Sequence, residues 1–238
     1  MPASPSAQAI SLTLQSVEAI HAGLRDLGVG WLSPAEQGRL SAMTATRRRA
    51  QFIAGHWLAR HCLAARAGGH WQDYALSAPD DAAPQILAMP ERMACGDWYF
   101  SLSHSGDWLA CAVARHPVGV DVECSHRRRN FQALNEWIHE PSARPAETTP
   151  QEQQARFYAQ WTLKEAWIKQ VPPSMPRPRM KSVRFAPCDA AHSVAVVGQN
   201  PALTLAVYPA TPARLQWEEG SLPPLEWTCW NHAAGPLP

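Results

Sequence analysis

Two acidic residues, Asp121 and Glu123, stand two positions apart in the segment 118–123, which reads Val-Gly-Val-Asp-Val-Glu. In an extended strand, residues two apart point to the same face, so the two carboxylates lie side by side and the valines occupy the opposite face. Neighbouring carboxylates repel each other unless a cation lies between them, and their oxygens suit Mg²⁺. The pattern indicates either a divalent-cation site or an ordinary solvated strand face.

A second candidate lies in the segment 161–169, which reads Trp-Thr-Leu-Lys-Glu-Ala-Trp-Ile-Lys. The spacing predicts a helix over 151–169, on which Glu165 and Lys169 share one stripe with Tyr158 and Thr162. Glu165 is suited to be a third metal ligand or a general base, and Lys169 to contact a phosphate. The alternative is an exposed Glu–Lys pair, which stabilises a helix by only about 0.3–0.5 kcal/mol.

The elements around these residues predict an α+β protein. Ser33 to Glu36 has the pattern of a capping box, and apolar spacing predicts a helix over 46–67. Period-two patterns predict an antiparallel meander with a turn at 104–107, and further short strands follow the helix that ends at 169. The predicted strands are 98–103, 108–114, 118–123, 194–197, 203–207 and 227–230. This order predicts two α+β halves, residues 1–116 and 117–238, with an irregular loop at 127–149 between the third strand and the helix over 151–169.

Composition excludes several classes of protein. The chain has 238 residues, with 21 Lys and Arg against 20 Asp and Glu, so the net charge of +1 gives no field that attracts nucleic acid or a membrane. No apolar run is long enough to span a bilayer, and the first residues lack the pattern of a signal peptide. The six cysteines include no C-x-x-C spacing, which argues against a zinc knuckle. We therefore expect a cytoplasmic protein with reduced thiols.

Three motifs occur in an informative order: Phe100–Ser105, Gly119–Glu123 and, about forty residues later, Trp161–Lys169. Together they resemble the 4′-phosphopantetheinyl transferases, specifically the larger, pseudodimeric type that activates surfactin synthetase. The upstream stretch from Leu32 to Arg60 also resembles the N-terminal helices of that family. The resemblance covers roughly residues 30–170.

The resemblance implies a fold of two similar α+β halves packed as a pseudodimer, with the metal site in the second half. It also implies a holo-[acyl-carrier-protein] synthase activity. In this reaction the 4′-phosphopantetheine arm of coenzyme A is transferred to a serine of an apo acyl or peptidyl carrier protein, and adenosine 3′,5′-bisphosphate is released. The family's cofactor is Mg²⁺, with Mn²⁺ as an alternative. A monomer is expected.

The resemblance also assigns roles to residues of this chain. It implies a metal site formed by Asp121, Glu123 and Glu165. Glu165 would act as the base and Lys169 would stabilise charge on the phosphates. The remaining contacts to coenzyme A would come from Arg39, Arg60, Ser103, His104 and Asp121.

Two departures from the family pattern leave rival hypotheses open. Ala82-Ala-Pro84 stands where the family has G-K-P, so Ala83 replaces a lysine, and 171–175 replaces G-x-G-L. One rival is a degenerate homologue that binds carrier protein or coenzyme A without turnover. The other is a metal-dependent phosphohydrolase that uses the same carboxylates. The intact acidic triad favours the active transferase.

Overall fold

The computed structural model describes residues 9–77, 79, 84–90, 97–125, 149–172, 174–217 and 224–233, and this part of the chain contains four α-helices, eleven strands and several short 3₁₀ helices. The helices are α1 (Val17–Leu24), α2 (Pro34–Ala42), α3 (Thr46–Ala67) and α4 (Pro150–Lys169). The strands are β1 (Ile10–Ser16), β2 (Ala75–Leu76), β3 (Ile86–Ala88), β4 (Tyr99–Ser105), β5 (Trp108–Ala114), β6 (Gly119–Cys124), β7 (Phe185–Cys188), β8 (Ala195–Asn200), β9 (Leu203–Tyr208), β10 (Leu215–Trp217) and β11 (Glu226–His232). The predicted α+β class is confirmed.

The strands form two main sheets. The first has the order β10-β1-β5-β4 and the second the order β6-β9-β8-β11-β7, while β2 and β3 form a small separate ribbon. One face of the first sheet packs against α1 and α3, and one face of the second packs against α4. The remaining faces share a single apolar cluster that includes Leu12, Ala112, Val120 and Leu205. The two sheets therefore lie between α1 and α3 on one side and α4 on the other.

The predicted three-strand meander is wrong in its last strand. β4 and β5 pair antiparallel as expected, but the other edge of β5 pairs with β1, so it has no room for β6. β6 pairs instead with β9 in the second sheet. The sequence prediction also placed His104 in a turn, whereas it lies within β4.

The predicted boundary after residue 116 falls between β5, which belongs to the first sheet, and β6, which belongs to the second. One strand crosses it: β10 comes late in the chain but pairs in parallel with β1 in the first sheet. Among the residues that the structure describes, no helix combines the length and the apolar character needed to cross a bilayer.

The predicted helix starts are confirmed at α2. The Ser33 hydroxyl accepts a hydrogen bond from the Glu36 backbone N–H at 3.3 Å, and the Glu36 carboxylate accepts one from the Ser33 N–H at 2.7 Å. This reciprocal pair satisfies two amide groups that a helix start otherwise leaves unpaired. It also directs the Glu36 side chain back toward the protein interior, where the residue is fully buried.

Helix α4 lies directly on the first residue of β6. A Cβ atom at Gly119 would stand 1.8 Å from the backbone oxygen of Ala166, the residue that follows Glu165. A backbone oxygen within a helix cannot move away without displacing the helix. The glycine therefore permits the close approach that brings Glu165 and Lys169 over β6.

Replacing Gly119 by alanine is expected to destabilise the protein by about 3 kcal/mol, because the added methyl group overpacks a helix–strand contact. The matched control is Gly38→Ala on α2, where the new Cβ would meet no atom within 4 Å. Urea unfolding of both variants measures the difference in midpoint. Equal midpoints for Gly119→Ala and the wild-type protein would contradict the packing described here.

Candidate functional site

Asp121 lies on β6 and faces α4. The residue is 5% exposed. Its Oδ1 atom accepts a hydrogen bond from Ser103 Oγ at 2.7 Å and pairs with Lys169 Nζ, also at 2.7 Å. Its Oδ2 atom is buried and has no hydrogen-bond partner among the described residues. A buried carboxylate oxygen without a partner is costly, so this atom is suited to a further cation or donor.

Lys169 reaches this carboxylate from the last turn of α4. Its Nζ also donates to Ser103 Oγ at 3.0 Å and lies 3.4 Å from the backbone oxygen of Val120. The side chain is about one quarter exposed, so the ammonium lies at the border between the protein interior and solvent. The lysine thus places a positive charge where the buried carboxylate and an incoming anion can both meet it.

Glu165 stands one helical turn before Lys169 and completes an acidic cluster. Burial raises the pKa of its carboxyl, and the negative charge of Asp121 and then of Glu123 raises this pKa further. The positive charges of Lys169 and Arg177 lower it, but the net shift is upward. A carboxyl group with a raised pKa binds a proton more strongly than an ordinary one, which suits a general base.

Three serines on β4 connect this cluster to the first sheet. They lie at alternate positions, so their hydroxyls leave the same face of the strand. Each hydroxyl accepts a hydrogen bond from a backbone N–H of β6, at 3.1–3.2 Å: Ser101 from Val120, Ser103 from Val122 and Ser105 from Cys124. In addition, Ser105 Oγ donates to Glu123 Oε2 at 2.8 Å. The edges of the two sheets thus meet through side chains.

The donor set at the cluster fits a hard divalent cation in its chemistry. It offers three carboxylates, one of them with a buried oxygen that lacks a partner. However, within the part of the chain that the structure describes, no three His, Cys, Asp or Glu side chains are already grouped closely enough to hold a metal ion. Lys169 is the positive partner that Asp121 has in this structure.

Arg60, which the resemblance assigned to coenzyme A, lies elsewhere. It is 1% exposed, and its guanidinium donates to both carboxylate oxygens of Glu36 at 2.6–2.7 Å and to the backbone oxygen of Tyr74 at 2.9 Å. His56 Nδ1 contacts the same carboxylate at 2.5 Å. Because these contacts use the donors of Arg60 in the interior, we leave Arg60 out of the proposed binding site.

Arg39 and His104 occupy positions at the surface of the first half. The guanidinium of half-buried Arg39 lies 6.0 Å from the ring centre of Phe52. His104 is exposed and leaves β4 on the face opposite to Ser103, because neighbouring strand residues alternate. The structure therefore brings Ser103, but not His104, to the acidic cluster.

Sequence reasoning gave no role to Ser105 or to Gly119, although both lie inside the quoted motifs. Ser105 lies two positions from Ser103, and Gly119 two positions from Asp121, so the strand alternation already placed each on the same face as a predicted site residue. Arg177, which follows α4, acts on the site electrostatically, because its positive charge lowers the pKa of Glu165. The departure at Ala82 and Ala83 lies outside the described residues.

Comparison with known proteins gives the same family as the motifs. Residues 117–207 match the model of the 4′-phosphopantetheinyl transferase superfamily. The chain is 33% identical over 76 residues to the 4′-phosphopantetheinyl transferase gsp of Aneurinibacillus migulanus, which is 32% of each protein. It is 26% identical over 156 residues to a 4′-phosphopantetheinyl transferase of Bacillus subtilis, covering 58% of this chain and 65% of that protein. The chain thus spans 32% and 65% of the length of these two curated relatives.

A solved structure, the holo-(acyl-carrier-protein) synthase of Bacillus anthracis, shows 18% sequence identity and a TM-score of 0.37. The match covers 44% of this chain and 92% of the other. Residues 117–207, which match the family model, contain β6, α4, β7, β8 and most of β9. They therefore include the carboxylates of Asp121, Glu123 and Glu165 and the ammonium of Lys169. Through this segment, the chain is similar to the 4′-phosphopantetheinyl transferase superfamily.

Proposed function

We propose that the protein transfers the 4′-phosphopantetheine arm of coenzyme A to a serine of an apo carrier protein. The observation that supports this most directly is the cluster at β6 and α4. It combines a buried carboxylate, Asp121, with an adjacent ammonium, Lys169, and a carboxyl of raised pKa, Glu165. Phosphoryl transfer depends mainly on positioning and on neutralising charge, and this cluster offers groups for both.

Glu165 is the base in this proposal. The serine hydroxyl of the carrier protein gives its proton to the Glu165 carboxylate as its oxygen bonds to the β-phosphorus of coenzyme A. The bond between that phosphorus and the bridging oxygen breaks, and adenosine 3′,5′-bisphosphate leaves with the electron pair. Lys169 stabilises the negative charge that develops on the phosphate oxygens.

Asp121, Glu123 and Glu165 would hold the divalent cation. When bound, Mg²⁺ neutralises and polarises the pyrophosphate. The buried oxygen of Asp121 that lacks a partner supports this assignment. Lys169 already neutralises the other oxygen of that carboxylate, so binding of the cation does not require the lysine to leave. The preference between Mg²⁺ and Mn²⁺, the cytoplasmic location and the monomeric state remain predictions.

The test is mass spectrometry of an apo carrier protein incubated with the enzyme, coenzyme A and Mg²⁺. We expect a carrier whose mass has increased by one phosphopantetheine group on the serine, together with free adenosine 3′,5′-bisphosphate. An unmodified carrier with intact coenzyme A would indicate a binding homologue. Cleavage of coenzyme A without carrier modification would indicate a phosphohydrolase. Either result would overturn the proposal.

Replacement of Glu165 by glutamine is expected to lower the rate of the chemical step by about 10²-fold or more, because the amide cannot accept the serine proton. The affinity for coenzyme A should fall much less, since size and hydrogen-bonding oxygen are retained. Single-turnover rates and calorimetry with coenzyme A measure the two quantities, with the exposed Glu226→Gln on β11 as the control. Normal single-turnover rates in Glu165→Gln would exclude the role of base.

A further inference from the structure

We propose that Ser101, Ser103 and Ser105 form a clasp between β4 and β6, and that Ser105 positions Glu123 for the reaction. The name serine clasp is used below for these three hydroxyls together with the three β6 amides whose hydrogen bonds they accept. The first part of the proposal concerns the fold alone. The second part, the role of Ser105, rests on the proposed function, because Glu123 is a metal ligand only within it.

In the serine clasp, side-chain hydroxyls of β4 accept the hydrogen bonds that backbone carbonyls of a paired strand would otherwise accept. β6 pairs along one edge with β9, and the backbone bonds to β9 use alternate residues of the strand. The amides of Val120, Val122 and Cys124 point to the other edge, where the neighbouring strand β4 belongs to a different sheet. Each of these amides donates to a serine hydroxyl instead of a carbonyl. Buried amides without an acceptor would each cost about 1–3 kcal/mol, so the hydroxyls stabilise this junction.

The clasp also sets the direction of the carboxylates. A serine hydroxyl that accepts from an amide can donate its own proton to one further group. Ser103 donates to Asp121, and Ser105 donates to Glu123, in both cases to the residue that precedes the bound amide. At Ser101 the corresponding residue is Gly119, which has no side chain. Ser103 and Ser105 therefore each orient a carboxylate, whereas Ser101 does not.

Ser105 is the informative position. Ser103 also contacts Lys169, so its removal would disturb two catalytic groups at once. Glu123 has a longer side chain than Asp121 and is half-buried, which leaves it more rotamer freedom to lose when it binds an ion. A hydrogen bond that fixes a metal-binding carboxylate commonly changes metal affinity or activity by 10- to 100-fold, on the order found for outer-shell partners.

The chain offers a matched pair of variants, Ser101→Ala and Ser105→Ala. Each removes one hydroxyl and one acceptor for a β6 amide, but only Ser105→Ala also removes a donor to a carboxylate. Amide hydrogen exchange should show faster exchange at Val120 in Ser101→Ala and at Cys124 in Ser105→Ala. The rise in unfolding temperature on addition of Mg²⁺ should be unchanged in Ser101→Ala and smaller in Ser105→Ala. Transfer activity should fall by about 10-fold or more in Ser105→Ala only.

Ser105→Thr provides the rescue, because it restores a hydroxyl at the same position, and we expect it to recover the Mg²⁺ response. Unchanged exchange at both amides would overturn the clasp. Faster exchange with an equal Mg²⁺ response in the two alanine variants would overturn the positioning role of Ser105. A wild-type protein without transfer activity would instead contradict the proposed function, and the exchange experiment would still decide the clasp.

Discussion

Asp121→Asn is expected to lower the rate of phosphopantetheine transfer by about 10³-fold or more while leaving the protein folded. The substitution keeps the shape of the side chain but removes the charge that Lys169 and the proposed cation require. It also leaves the Lys169 ammonium without its ionic partner. Transfer assays at several Mg²⁺ concentrations, together with the circular dichroism spectrum, measure activity and folding in the same preparation.

The matched control is Asp107→Asn in the turn after β4. The Asp107 carboxylate accepts a hydrogen bond from the Glu18 backbone N–H at 3.3 Å, in an exposed position. This substitution removes the same charge at an exposed position, without touching the acidic cluster. If Asp121→Asn retained wild-type transfer at limiting Mg²⁺, Asp121 would not be a ligand of the metal.

Glu36→Gln is expected to destabilise the protein by about 3–5 kcal/mol, although Glu36 has no role in the proposed reaction. The substitution leaves the guanidinium of Arg60 buried without its ionic partner. Glu18→Gln is the control, since Glu18 also lies in the first turn of a helix but is exposed. Urea unfolding measures both, and a midpoint for Glu36→Gln equal to that of the control would show that the buried pair contributes nothing.

The Glu36 carboxylate also makes the free energy of unfolding depend on pH. Burial by itself raises the pKa of Glu36, but hydrogen bonds from His56, Arg60 and Ser33 and the charge of Arg60 lower it from 4.5 to about 2. Because the pKa is lower in the folded state, this contribution is complete above pH 4.5 and is lost as the pH falls toward 2. Acid titration of the unfolding midpoint should show this loss in the wild-type protein and lack it in Glu36→Gln.

Local signals were sufficient to predict the parts of the site that come from one element each. The alternation at 118–123 predicted that Asp121 and Glu123 share a face, and helical spacing predicted that Glu165 and Lys169 do. Which two faces meet depends on the contact between Gly119 and Ala166, which lie 47 positions apart in the sequence. The motif resemblance, rather than the spacing, supplied that link.

The errors arose where distant segments compete for the same partner. β5 has two edges, and the segment that forms β1 was not among the strands predicted from the sequence. Proximity along the chain favoured β6, but β1 occupies the edge. The burial of Arg60 could not be predicted for a similar reason: its partner Glu36 lies 24 positions away on another helix, and neither residue shows locally that it is buried.

The serine clasp has a consequence for association between molecules. β4 and β6 are the terminal strands of their sheets, and a terminal strand with free N–H groups is a template to which a strand of another chain can add. Here a hydroxyl already occupies each of three successive outward amides of β6. The same three serines that hold the two sheets together therefore protect this edge against aggregation.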